Sequence, residues 1–195
     1  REQAYDDFAR QPLLPNKLSQ LGPGVACGDI NGDDTDDVFV AGATGAPGAC
    51  WLSQPDGSYV ANHSPELAAQ SIDREQMAPL FLDVDGDDDL DLYVASGGVE
   101  CEPGADLLQD QLFLNNGQGQ FTLAPKGTLP DIRESASVVA TADFDRDGDL
   151  DLFVGGRSVP GQYPETPRSF LLVNEGGEFR DATARLTSGL GTSGL

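Results

Sequence analysis

Three short acidic runs have the residue types and the spacing to chelate a hard cation. They are Asp29, Asn31, Asp33, Thr35 and Asp37; Asp83, Asp85, Asp87, Asp89 and Asp91; and Asp143, Asp145, Asp147, Asp149 and Asp151. Counted from its first Asp, each run carries Asp or Asn at positions 1, 3, 5 and 9, and Val at position 12 (Val40, Val94 and Val154). Ca²⁺ takes about six to eight oxygens at roughly 2.3–2.6 Å, and alternate residues of a tight loop can aim oxygens at one point. In this reading positions 1, 3, 5 and 9 give side-chain oxygens, position 7 (Thr35, Asp89, Asp149) a backbone carbonyl, and water the remainder. Mg²⁺ fits less well, because it keeps its own water and demands a stricter octahedron. No His or Cys stands in any loop to suit Zn²⁺ or copper. Three Ca²⁺ sites are expected. The first should bind most weakly, since Asn31 replaces a carboxylate there.

The elements that must position these oxygens are strands. Helix–loop–helix calcium sites require Glu at position 12 and helices on both sides, whereas Val38-Phe39-Val40, Leu92-Tyr93-Val94 and Leu152-Phe153-Val154 are β-forming runs. The loops begin at residues 29, 83 and 143, a spacing of 54 and then 60 residues, which suits a repeated supersecondary unit. An apolar stretch precedes each loop. A hairpin follows each second strand, turning at Asp56-Gly57, Asn116-Gly117 or Gly176-Gly177 and closing on Tyr59, Phe121 or Phe179. Each unit therefore reads as four short antiparallel strands with the calcium loop between the first two, the pattern of a β-propeller blade. The second strands are almost continuously apolar, as expected of strands covered on both faces. The fold class predicted is all-β, with about three full blades at 22–62, 76–124 and 136–182 and edge segments at 1–21 and 183–195.

This pattern resembles the FG-GAP/VCBS repeat of integrin-α-type β-propellers, whose calcium loop runs Asp-x-Asp/Asn-x-Asp-Gly-x-x-Asp. The resemblance covers roughly residues 22–179. It implies side-chain ligands at Asp29, Asn31, Asp33 and Asp37; Asp83, Asp85, Asp87 and Asp91; and Asp143, Asp145, Asp147 and Asp151. A narrower likeness, carried by residues 18–24 and by the Gly-Gly-Arg-x-x-Pro-Gly stretch from Gly155, is to bacterial exported FG-GAP proteins akin to cartilage acidic protein. No part of the ASPIC/UnbV domain that often accompanies them is identifiable. Asp34 and Asp88 stand where the family has Gly, at a turn that calls for positive φ. Asp tolerates that conformation better than most residues, and the third loop, with Gly148, is expected to be the least strained.

Composition narrows the function classes. The net charge is −22, and eleven of the acids stand at ligand positions, so three bound Ca²⁺ would leave about −16. Such a surface repels nucleic-acid backbones and anionic membranes. No run approaches the roughly 20 apolar residues of a membrane span, and the given residues do not read as a signal peptide, which a mature fragment would lack in any case. Millimolar extracellular calcium suits these loops better than cytosol, so an extracellular, periplasmic or cell-surface location is expected. Three blades do not close a ring of the usual size, which suggests a fragment of a longer propeller or an open array completed by another copy. Phe8 is a candidate closing strand of a preceding blade, and residues 190–195 a lead into a further one. Cys27, Cys50 and Cys101 lack a C-x-x-C spacing. One disulfide with a free thiol, or buried free thiols, are both open.

No catalytic constellation emerges. His63 is the one histidine and lies in a polar stretch, and there is no nucleophile elbow, P-loop or H-E-x-x-H. Paired acids are better explained by calcium loops than by a glycosidase pair, one of whose carboxyls must hold a proton. The longer insertions at 100–111 and 158–168 offer Glu102, Asp106, Tyr163 and Arg168, with Arg157 beside them, for partner recognition or simply as spans. Arg133-Glu134 reads as an exposed pair. The function expected is a secreted or cell-surface calcium-binding scaffold for binding or adhesion, not an enzyme, with an unidentified protein or glycan ligand. The alternatives are the propeller part of an extracellular lyase or hydrolase, and a structural spacer.

Overall fold

The computed structural model describes residues 5–187, so the lead expected at 190–195 and part of each edge segment lie outside the described residues. Strands β1 (Val25–Gly28), β2 (Asp37–Val40), β3 (Ala49–Ser53) and β4 (Tyr59–Asn62) form one four-stranded antiparallel sheet. A second holds β5 (Glu75–Leu82), β6 (Asp91–Gly97), β7 (Gln111–Leu114) and β8 (Thr122–Leu123). The third holds β9 (Ser135–Ala142), β10 (Asp151–Ser158), β11 (Phe170–Asn174) and β12 (Phe179–Asp181). In each, hydrogen-bonded neighbours follow chain order, and the acidic loop joins the first two strands as expected.

Two apolar layers hold the three sheets together. Ile30, Phe39 and Cys50 of the first unit meet Leu92, Val94, Phe113 and Phe121 of the second. Tyr93, Ala95 and Leu112 of the second meet Leu152, Phe170 and Phe179 of the third. Strand β6 is therefore buried along its whole length, with alternate side chains feeding opposite layers. That is the reason for its unbroken apolar run. The first strands β1, β5 and β9 touch in succession, and Gly97 marks how close the sheets come there: a Cβ on it would lie 2.8 Å from the Ala136 carbonyl. These are three sheets consistent with partial propeller blades, and no closed ring forms among the described residues.

One expectation is corrected, and the side chains left open in the sequence find their places. Phe8 lies in a short helix, α1 (Asp7–Arg10), not a strand; Asp6 caps it by accepting from Phe8 and Ala9 N–H. A second helix, α2 (Pro65–Ser71), starts with Pro after Ser64, and a third, α3 (Thr183–Leu186), follows β12. No cysteine is paired: Cys50 is buried, Cys27 exposed and Cys101 half-buried. Arg133 bonds Asp106 and Asp131 rather than Glu134. The insertion residues are engaged within the chain. Glu102 pairs with Arg10 at 2.9 Å, Arg157 donates to the Leu18 carbonyl, Tyr163 N–H to Gln11, and Arg168 lies over the Phe170 ring. Three of these contacts tie residues 10–18 to the second and third sheets.

Among the described residues two acids are buried apart from the acidic loops, Asp7 and Asp110. Asp110 is 7% exposed and accepts from the Tyr93 hydroxyl and from Ser96 N–H at 2.7 Å. Burial pushes its pKa up to about 7, against the opposing pull of those two bonds and of Arg74. A folded pKa above the ordinary 3.8 means that the folded state holds a proton the unfolded chain has lost. The stability this contributes is complete below the unfolded pKa and is lost as pH rises through the folded one. Asp110→Asn keeps both partners without the charge. Relative to the unsubstituted chain it should therefore gain stability between pH 5 and pH 8, by at most about 3 kcal/mol. Denaturant unfolding of both proteins at the two pH values reads this difference, and a difference that does not change with pH would refute it.

Candidate metal centre

Each acidic loop is built outward from a buried carboxylate at position 9. Asp37, Asp91 and Asp151 are the first residues of β2, β6 and β10 and pair with the last residues of β1, β5 and β9. They are 0%, 2% and 0% exposed. Each spends one oxygen on the N–H at position 2: Ile30 at 3.2 Å, Val84 at 3.2 Å and Phe144 at 2.7 Å. The other oxygen takes an N–H at the end of the third strand region: Ser53 at 2.8 Å, Asn115 at 2.8 Å and Asn174 at 2.9 Å. One carboxylate thereby closes its loop and ties it to the far hairpin. Burial, only partly offset by these bonds, raises Asp37 and pushes Asp91 up to about 7. A bound cation would favour the ionised form of such a group.

In the second and third loops further acids converge on this one. Asp83, Asp85 and Asp91 bring one carboxylate oxygen each to within 4.8 Å of one another, as do Asp143, Asp145 and Asp151. Partial burial, followed by repulsion from Asp87 and Asp83, raises Asp85. Desolvation, followed by Asp147, Asp151 and Asp143, raises Asp145. Asp87 and Asp147, at position 5, lie outside these groups and accept from the N–H of Asp89 and Asp149 at 3.1 and 3.0 Å. At position 7 the side chains turn to the hairpin: Asp149 accepts from Gly176 N–H at 3.2 Å, and Thr35 shares a hydrogen bond with Ser53 at 2.5 Å. The Oδ1 of Asp89 is buried without a hydrogen-bond partner. Crowded carboxylates and an all-oxygen donor set together suit a hard divalent cation.

The first loop differs, and two rather than three acid groups form among the described residues. Asn31 turns what is a carboxylate pair elsewhere into a donor and an acceptor, giving its amide to Asp33 at 3.1 Å. Asp29 gathers N–H groups from Asn31, Gly32, Asp33 and Asp34. Desolvation pulls Asp29 upward, but those amides outweigh it and hold it below the usual carboxylate range. The Thr35 hydroxyl, then the Asn31 amide, lower Asp33. This loop satisfies its own acids.

The backbone corrects the expectation about strain. Positions 4 and 6 are left-handed in all three loops: Gly32 and Asp34 (φ 74° and 64°), Gly86 and Asp88 (80° and 68°), Arg146 and Gly148 (68° and 104°). Each loop thus has one Gly and one side-chain-bearing residue in that region. The third, expected to be the least strained, holds Arg146 there, a residue type that tolerates the conformation less well than Asp.

The sequence pattern described as an FG-GAP-like repeat matches residues 29–94 and 83–154. The chain belongs to the FG-GAP-like repeat family. Each match opens on the first Asp of one loop and ends on the position-12 Val of the next. No curated protein matches the chain. Membership of this family, with acidic clusters as the chemistry-bearing groups, is consistent with a non-catalytic module. His63 is exposed, just before α2. Among the described residues no helix is long and apolar enough to cross a membrane. Asn115 and Asn174 are not among the expected site residues, although they and Ser53 recur in phase at the ends of the apolar third strands.

Relief of the left-handed arginine should be measurable. Arg146→Gly is expected to stabilise the chain by about 1 kcal/mol, a rise in Tm of roughly 2–4 °C for a chain of this size. Arg146→Ala should give no such gain, and scanning calorimetry of the two variants in EDTA compares them. Equal Tm values would show that the loop bears no conformational cost at this residue.

Proposed function

We propose that this chain is part of a calcium-stabilised β-propeller, with blades at 22–62, 76–124 and 136–182, that acts outside the cell or at its surface as a scaffold for a protein or glycan ligand. The observation that carries the reading is the in-register convergence of Asp83, Asp85 and Asp91, and of Asp143, Asp145 and Asp151, around a buried acid in successive sheets. Calcium supplies charge neutralisation there. Positions 1, 3, 5 and 9 hold it by side chains and position 7 (Thr35, Asp89, Asp149) by its carbonyl. The protein's own part is to fix the strand ends from which those oxygens project. Asp29, Asn31, Asp33 and Asp37 form a third, weaker site, because the first loop must break its internal hydrogen bonds to bind. A net charge of −22 favours a partner other than nucleic acid or an anionic membrane.

Metal binding to such loops is folding free energy. A site with a Kd near 10 μM in 1 mM calcium adds about 2.7 kcal/mol, so two sites should separate the calcium and EDTA melting temperatures by roughly 10–20 °C. Asp145→Ala should remove about half of that difference. Mg²⁺ at the same concentration should restore less of it than Ca²⁺. Differential scanning calorimetry supplies the comparison; the proposal would be falsified by a melt indifferent to calcium.

A further inference from the structure

Each of the first two loops is also gripped from outside its own sheet. Ile30, between Asp29 and Asn31, is 1% exposed, and its carbonyl accepts from the side-chain amide of Asn115 at 2.9 Å. Val84, between Asp83 and Asp85, is 2% exposed, and its carbonyl accepts from the side-chain amide of Asn174 at 2.8 Å. The donor in each case belongs to the following sheet. Because these carbonyls stand at position 2, each bond fixes the peptide plane that joins ligand positions 1 and 3. The N–H of the same residue is already held by the position-9 Asp of its own loop. Position 2 is clamped at both ends, once from within and once from the neighbour.

The donors are themselves anchored. Asn115 gives its backbone N–H to Asp91 and Asn174 gives its own to Asp151. Asn174, 1% exposed, also accepts from Gly177 N–H at 2.8 Å, which orients its amide toward Val84. Hydrogen bonds therefore run without a break from Asp151 through Asn174 and Val84 to Asp91, and on through Asn115 and Ile30 to Asp37. Successive cages are linked by a single asparagine each.

We propose that Asn115 and Asn174 are positioning residues for the cation cage of the preceding sheet, an inference that rests on the calcium reading above. Without the asparagine donor a buried carbonyl is left unpaired, and the peptide between the first two ligands is free to turn. The loop must then be ordered when the ion binds, which lowers its affinity. The effect has a direction: Asn174 lies in the third sheet but serves the second loop.

Calcium titration of the ¹⁵N-labelled full chain, read by NMR at the Gly32, Gly86 and Gly148 amides, reports the three loops separately. Asn174→Ala should raise the midpoint at Gly86 by about tenfold and leave that at Gly148 within about twofold. Asn174→Ser, which copies the residue standing at this place in the first sheet, should fold and give the same one-sided shift, since serine is too short to reach Val84. No shift at Gly86, or equal shifts at Gly86 and Gly148, overturns the proposal. Amides that ignore calcium in the unsubstituted chain overturn the calcium reading itself, so the two failures are told apart.

Discussion

The architecture depends on one constraint, a carboxylate taken out of water at the start of each second strand. Asp37, Asp91 and Asp151 have almost no contact with solvent, and a buried charge is tolerated only when hydrogen bonds or counter-charge compensate it. Two backbone N–H groups per carboxylate supply part of that compensation, and they come from opposite ends of the repeat. The same requirement that satisfies the acid therefore folds the loop back and docks the third strand. Crowding by Asp83 and Asp85, or by Asp143 and Asp145, adds negative charge that the protein's own donors do not balance. In the second and third loops the side chain that closes the fold is also the buried member of the acid cluster.

Packing between sheets explains why the strands look as they do. The middle sheet is apolar on both faces because both are covered, whereas the inner strand of the last sheet alternates, with Val138 and Ala140 exposed. The acidic loops reach into these layers through Ile30 and Val84, which are core residues as much as loop residues. The order of each loop is thus coupled to the burial of an aliphatic side chain, and its acids cannot move far without disturbing a sheet junction.

Much of this was legible in the sequence because period-2 spacing and turn dipeptides are local signals. Strand order, the place of the acidic loops and the doubly covered β6 all follow from Leu92-Tyr93-Val94 and its counterparts. That the first loop departs from the other two was legible in Asn31, whose amide donates to Asp33. What escaped were relations between distant residues. That Asn174 would meet Val84 depends on how sheets stack, and that Asp110 would be enclosed with Tyr93 depends on the register of β7 against β6. The helix at Asp7–Arg10 escaped because Phe8 among acids suits a strand edge as well as a capped turn. Arg146 escaped because the family pattern marks only position 6 with Gly, while the backbone is left-handed at position 4 as well.

The long reach of the asparagine bonds bears on how the chain is made. Ile30 and Asn115 are 85 residues apart, and Val84 and Asn174 are 90 apart. During synthesis from the N-terminus, the first repeat must wait for most of the second to leave the ribosome before its turn acquires its final partner. Maturation would then proceed as a trailing wave, each repeat locked by its successor, at rates set by closure of these long contacts rather than by the local hairpins.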